Sequence, residues 1–192
     1  MEKKRIVVGM SGASGAPLAV RLLKELNKYS EIETHLVMSK GAELTVEQEC
    51  SESVSEVISL ADFYHDNANI GSSIASGSFM TEGMVVIPCS MKTLSGIAHG
   101  YSDNLLLRAA DVVMKEQRRL VVVPRETPLS VIHLDNLSYI AKVPGVMVIP
   151  PVLTYYHNPV SIADMENQLV GKILRCFGIT PDSFFVWTEG TN

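Results

Sequence analysis

The chain has 192 residues, 46% of them apolar, with a formal net charge of −5. That length fits one domain over residues 1–192 with one substantial core, and an acidic balance with scattered Lys and Arg argues against a nucleic-acid partner. The few apolar residues after MEKK are too short for a secretory leader and no run approaches a membrane span, so a cytoplasmic protein with no membrane partner is expected.

Arg5 to Val8 (RIVV) is short, β-branched and apolar, and Leu18, Leu22, Leu23 and Leu26 recur at helical spacing, which predicts strand, glycine loop, helix. Between them GMSGASGAP carries Gly9, Gly12 and Gly15 three apart. The first amides of the helix, reinforced by its dipole, favour an anion there. The spacing G-x-x-G-x-x-G is neither the dinucleotide fingerprint nor the P-loop, which argues against a kinase or ATPase. A phosphate site and a tight turn without ligand both remain open.

Glu33 to Met38 (ETHLVM) predicts a second strand, followed through Ser39-Lys40-Gly41 by a helix to about Glu52. Asp62 to Glu82 is polar and reads mainly as a long loop. Met84 to Ile87 (MVVI) is a buried strand that turns through PCSMKT into a helix. A helix over Leu105 to Arg119 precedes the strand Leu120 to Val123 (LVVV), and Ser130 to Ala141 is helical again. Val146 to Ile149 (VMVI) is the last strand; Ile162, Met165, Leu169 and Ile173 mark the last helix, with Ser161 and Asp164 as its capping box.

Strands and helices that alternate in this way imply an α/β fold with a doubly wound, mostly parallel sheet of Rossmann-like or flavodoxin-like form, and strands this apolar require helices on both faces. Ligands in such sheets bind beyond the carboxyl ends of the strands. SGASG, SKGAE, PCSMKT, PRETP and PPVLTYYHNP fall there. Ser14, Ser39, Ser90 and Thr93 offer hydroxyls suited to a phosphate and a heterocycle edge; helix capping is the alternative use. Arg125 and Glu126, stiffened by Pro124 and Pro128, fit phosphate recognition or an ion pair at a subunit contact. Arg108, Asp111 and Lys115 form a polar helix stripe that by itself reads as a solvated face. Glu49 is a candidate general acid or base, and Tyr155, Tyr156 and His157 form a polar aromatic cluster. Cys50, Cys89 and Cys176 lack C-x-x-C spacing, so neither a disulfide framework nor a metal site is expected.

Taken together, GMSGASGAP, MSK, IPCSMKTLSGIAHGYSDNLLLRAADVVMKE, LVVVPRETPLSVIHLDN and YYHNP resemble the flavin prenyltransferases of the UbiX type, over about Arg5 to Trp187. DNANIGSSIASGSF and CSMKT are most like the branch named for the small subunit of phenolic acid decarboxylases. The resemblance implies a subunit of a homo-oligomer, usually a dodecamer, that binds FMN between subunits. It joins a dimethylallyl group from dimethylallyl phosphate to N5 and C6 of reduced FMN, and the prenylated FMN serves a UbiD-type decarboxylase. Carried over residue by residue, flavin contacts fall on Gly12, Ala13, Ser14, Ser39, Ser90, Met91, Lys92, Thr93 and Arg125, with Ser14 near N5. Prenyl-phosphate contacts fall on Tyr156 and Lys172, with Lys115 and Arg125 nearby, and Glu49 and Glu126 take the active-site carboxylate positions. The resemblance implies catalytic roles for Ser14, Glu49, Lys115 and Glu126. Lys172 stands where many members have Arg, which keeps the charge and loses the bidentate fork, and Ile70 stands where some have Trp. Two other readings are a non-catalytic FMN-binding subunit and a flavin-dependent cysteine decarboxylase; the catalytic histidine of the latter has no match in SKGAELTVEQE.

Overall fold

The computed structural model describes residues 3–188. Its described residues form one six-stranded sheet, all parallel, in the order β3-β2-β1-β4-β5-β6. The strands are β1 (Lys4–Met10), β2 (Ile32–Met38), β3 (Phe63–Asp66), β4 (Gly83–Cys89), β5 (Arg119–Pro124) and β6 (Val146–Val148). The helices are α1 (Ala16–Leu26), α2 (Lys40–Glu49), α3 (Val54–Ser59), α4 (Met91–Ala98), α5 (Leu105–Lys115), α6 (Val131–Ile140) and α7 (Ile162–Arg175).

Side-chain alternation along the strands separates two cores. Ile6, Val8 and Met10 of β1, with Leu36, Val85 and Val121, face α1 and α7, where Leu22, Leu23, Ile173 and Leu174 meet them. Val7, Val37, Met84, Val86 and Val122 face the other way, onto Leu94 and Ile97 of α4 and Leu106 and Ala110 of α5. Residues of both parities are therefore apolar, and this is why the central strands read as continuous runs rather than alternating ones. The strand order reverses between β1 and β4, so the loops after these two strands diverge to opposite faces and leave a crevice at their carboxyl ends. No helix among the described residues is long and apolar enough to cross a membrane.

The segment expected to be a long loop departs most from the sequence reading. Phe63–Asp66 pairs with β2 as an edge strand, His35 opposite Phe63, and Ser73–Ala75 forms a single 3-10 turn. β3 is short and largely exposed, so it carries no apolar alternation to reveal it. The rest of the segment is tied down by polar contacts: the Asn67 backbone and side-chain oxygens accept the Leu105 and Leu106 amides, both at 2.9 Å, and Arg118 donates to the Gly77 and Phe79 carbonyls. Two helices are also shorter than expected. α2 stops at Glu49, and a separate α3 follows with a Ser53/Glu56 capping box. α5 stops at Lys115, which releases Arg119 to begin β5.

Candidate active site

The crevice at the β1/β4 switch point is built from backbones brought close. A Cβ on Gly12 would fall 2.8 Å from the Gly41 Cα, and one on Gly41 would fall 3.0 Å from the Gly12 Cα. Only glycine at both positions lets the loops after β1 and β2 stack there. Ser11, 1% exposed, fastens the loops after β1 and β4: its hydroxyl donates to the Pro88 carbonyl at 2.9 Å and accepts the Ser90 amide at 2.8 Å. The Arg125 amide continues the seam by donating to the Cys89 carbonyl at 3.1 Å. Ser11 was not among the sequence candidates, because a serine one residue beyond a strand looks like any polar loop residue.

The hydroxyls divide between capping and display. Ser39 and Ser90 are N-caps, accepting the Ala42 amide at 3.2 Å and the Thr93 amide at 3.3 Å, and Ser90 also donates to the Thr93 hydroxyl at 3.1 Å. Capping at these helix starts still leaves first-turn amides without intrahelical partners. Met91 packs against the core while Lys92 is exposed. Gly12 and Ser14 are exposed at the mouth, with Ala13 half-buried between them.

Glu49 occupies the N-terminus of α1. Its Oε2 accepts the Gly15 amide at 2.7 Å and the Ala16 amide at 3.1 Å. Burial pushes its carboxyl upward, but the Gly15 amide, the Ser14 hydroxyl, the Ala16 amide and the Arg125 charge outweigh that and hold it below the usual glutamate value. The helix end does hold an anion, therefore, and the chain itself supplies it. Ser14, Glu49 and Arg125 form one electrostatic cluster although they come from the loops after β1 and β5 and the end of α2. Glu126, the next residue, turns its Oε1 back onto the Thr127 amide at 2.9 Å and is exposed.

Tyr156 and Lys172 meet elsewhere. They line a cavity of about 470 Å³ beside the β6 edge, together with Arg175, Phe184, Phe185 and Trp187. Tyr156 packs edge-on to Trp187 with ring centroids 5.8 Å apart. Arg175, three residues after Lys172 on the same helix, escaped the sequence reading; only the spacing of the two cations on α7 signals it. Neither Ser14, Glu49 nor Arg125 lines this cavity.

Lys115 joins neither group. It ends α5, pairs with Glu116 and leads directly into the start of β5. This places it at the amino edge of the sheet, about 20 Å of strand from the crevice at ~3.3 Å per residue. Within one chain it cannot reach Ser14, because a helix antiparallel to its strand ends where the next strand begins. Ile70 is 61% exposed in the loop after β3. Among the described residues no group of His, Cys, Asp and Glu could hold a metal ion.

The family described as Flavoprotein matches residues 1–176. Flavin prenyltransferase UbiX of Escherichia coli strain K12 is 52% identical over 188 residues, 97% of this chain and 99% of that one. A crystal structure described as a dodecameric FMN-dependent UbiX-like decarboxylase from Escherichia coli O157:H7 superposes with a TM-score of 0.94 at 49% identity, covering 96% of this chain and 100% of the other. AnUbiX (PadA1), in complex with FMN and dimethylallyl pyrophosphate, superposes with a TM-score of 0.95 at 45% identity, over 98% of this chain and 99% of the other.

Proposed function

Because the chain belongs to the Flavoprotein family and, within it, to the UbiX-like flavin prenyltransferases, we propose that the crevice between β1 and β4 holds FMN and that the Tyr156/Lys172 cavity holds the prenyl phosphate. The protein is a flavin prenyltransferase, a transferase that makes prenylated FMN from FMN and dimethylallyl phosphate. The observation that carries the site assignment is the Ser14–Glu49–Arg125 cluster at the switch point of an all-parallel sheet.

The crevice suits FMN. The Gly12/Gly41 approach leaves bare backbone at its mouth, and the hydroxyl and amide donors of two helix starts would suit a ligand with one phosphate and a polar ring edge. Gly12, Ala13, Ser14 and Ser39 would line one wall, Ser90, Met91, Lys92 and Thr93 the other, and Arg125 the mouth. When bound, reduced FMN supplies the nucleophilic ring positions N5 and C6 to which the dimethylallyl group is joined. Ser14 would orient the ring edge. Glu49, held ionised, keeps Oε2 on the Gly15 and Ala16 amides, so its other oxygen, Oε1, is the one that can accept a proton while the cap stays in place. Lys172 and Arg125 would stabilise the charge that develops on the leaving phosphate, with Tyr156 donating to it. Glu126 is a second proton acceptor at the mouth.

The split of these residues into two groups, with Lys115 at the far edge, favours a site completed between copies of this chain. α6 supports the same reading: Val131, Ile132, Leu134 and Tyr139 are 72%, 70%, 50% and 60% exposed. An apolar helix face of this kind calls for a covering partner, and a homo-oligomer, a dodecamer as in the matched structure, would cover it. We further place this single α/β unit in the cytoplasm, in keeping with its unpaired cysteines. We assign it to the small-subunit branch of the phenolic acid decarboxylases on the loop DNANIGSSIASGSF and the motif CSMKT, and have it hand its product to a UbiD-type decarboxylase. Phosphate release from dimethylallyl phosphate by the purified protein tests the assignment. Release that depends on reduced FMN supports it, whereas release only when a decarboxylase is added would make the chain a carrier.

A further inference from the structure

We propose that Gln168 is a positioning residue: it fixes the Tyr156 hydroxyl as a hydrogen-bond donor toward the prenyl phosphate and holds the C-terminal segment as a wall of the same cavity. The inference rests on the reading that Tyr156 and Lys172 bind that phosphate. Gln168 lies on α7 and is 4% exposed, so its amide must find its partners inside the protein. Its Oε1 accepts the Phe185 amide at 2.9 Å, and its Nε2 donates to the Phe185 carbonyl and to the Tyr156 hydroxyl oxygen, both at 3.0 Å.

The direction of these bonds follows from the partners. A backbone amide only donates, so the atom facing the Phe185 N–H is the oxygen, and the atom facing Tyr156 is therefore the nitrogen. The Tyr156 oxygen thus receives a proton, and its own hydroxyl proton must go elsewhere. The cationic neighbours in the cavity, Lys172 and Arg175, cannot accept it. An anion there can, and it meets two cations and an aimed hydroxyl. The same carboxamide grips the segment that carries Phe184 and Trp187. Gly171, one turn away, makes room for it, since a Cβ there would fall 2.4 Å from the Phe184 ring. One side chain thereby links the aromatic wall to the polarity of the phosphate-binding hydroxyl.

Trp187 is the sole tryptophan, so its emission reports the wall without any turnover. Dimethylallyl phosphate titrated into the full-length oligomer should change that emission saturably. In Gln168→Met, which keeps chain length and removes both polar atoms, the ligand-free emission should shift. Dimethylallyl phosphate should bind about tenfold more weakly, the worth of one hydrogen bond to a charged group, with FMN affinity unchanged. In Gln168→Glu the carboxylate still accepts the Phe185 amide but captures the Tyr156 proton, so binding should weaken at least as much. Placed in Tyr156→Phe, the Gln168→Met change should cost no more than about a further twofold. Equal losses with and without the tyrosine hydroxyl, or unchanged binding in both Gln168 variants, overturn the inference while leaving the function standing. Wild-type protein that binds no dimethylallyl phosphate overturns the functional reading and the inference together.

Discussion

Replacing Glu49 by Gln removes a charge and keeps a carbonyl of the same reach, so it separates the two uses of this carboxylate. The structure sets the size of the structural part. Oε2 accepts two amides, at 2.7 and 3.1 Å, at the start of α1. Charged acceptors at a helix start are worth about 0.3–1 kcal/mol through the dipole, and charge assistance roughly doubles each bond. The glutamine carbonyl retains the neutral share, and solvent at this exposed position screens the rest. The loss is then about 1 kcal/mol, or roughly 2–4 °C in Tm for a chain of this size. Because the folded carboxyl is held below its ordinary value of 4.5, the advantage of Glu49 is complete above pH 4.5 and disappears as the pH falls through the folded value. Calorimetric Tm differences between wild type and Glu49→Gln at pH 7 and in acid measure this directly. If Glu49 also takes the proton, the single-turnover rate of product formation falls by about 10²–10⁴-fold while FMN still binds. A Tm difference that persists in acid refutes the cap argument, and wild-type turnover in the variant refutes the catalytic one.

Lys172→Ala should raise the Michaelis constant for dimethylallyl phosphate about tenfold or more and leave FMN affinity unchanged in calorimetry; an unchanged constant would place Lys172 outside the site. Ile132→Asp on α6 should break the oligomer into smaller species in light scattering, and an intact oligomer would show that α6 is not a subunit contact. A third test concerns the partly buried chain Ser72–His65–His35–Glu33, linked at 2.6, 2.9 and 3.0 Å. Burial drives both histidines below 6.5, so the unfolded chain binds more protons than the folded one just beneath that value. Stability should therefore decline as the pH falls below about 6.5 and decline less steeply in His65→Gln, as read from urea midpoints at pH 7.5 and 5.5. Identical slopes in both proteins would contradict this.

The parts legible in the sequence are those fixed by local chemistry. RIVV, MVVI and LVVV announced strands because both faces of the central sheet are buried, and the Ser161/Asp164 box marked the start of α7 because capping is a contact between near neighbours. β3 stayed hidden because FYHD pairs on one side only and shows its side chains largely to solvent. The Glu49 cap joins residues 34 apart in sequence, and the Ser11 seam spans 77. No spacing rule reaches so far. Lys115 illustrates the converse: the resemblance grouped it with Ser14, whereas helix direction within one chain sends it to the opposite edge. Gln168 went unread because a glutamine in an amphipathic helix looks solvent-facing until the returning C-terminal segment covers it.

The most direct test of the account is mass spectrometry of the flavin after anaerobic incubation of the purified protein with reduced FMN and dimethylallyl phosphate. The predicted result is an FMN species heavier by one C5H8 unit, formed with release of inorganic phosphate and absent when either substrate is withheld. Recovery of unmodified FMN, with dimethylallyl phosphate intact, would contradict it.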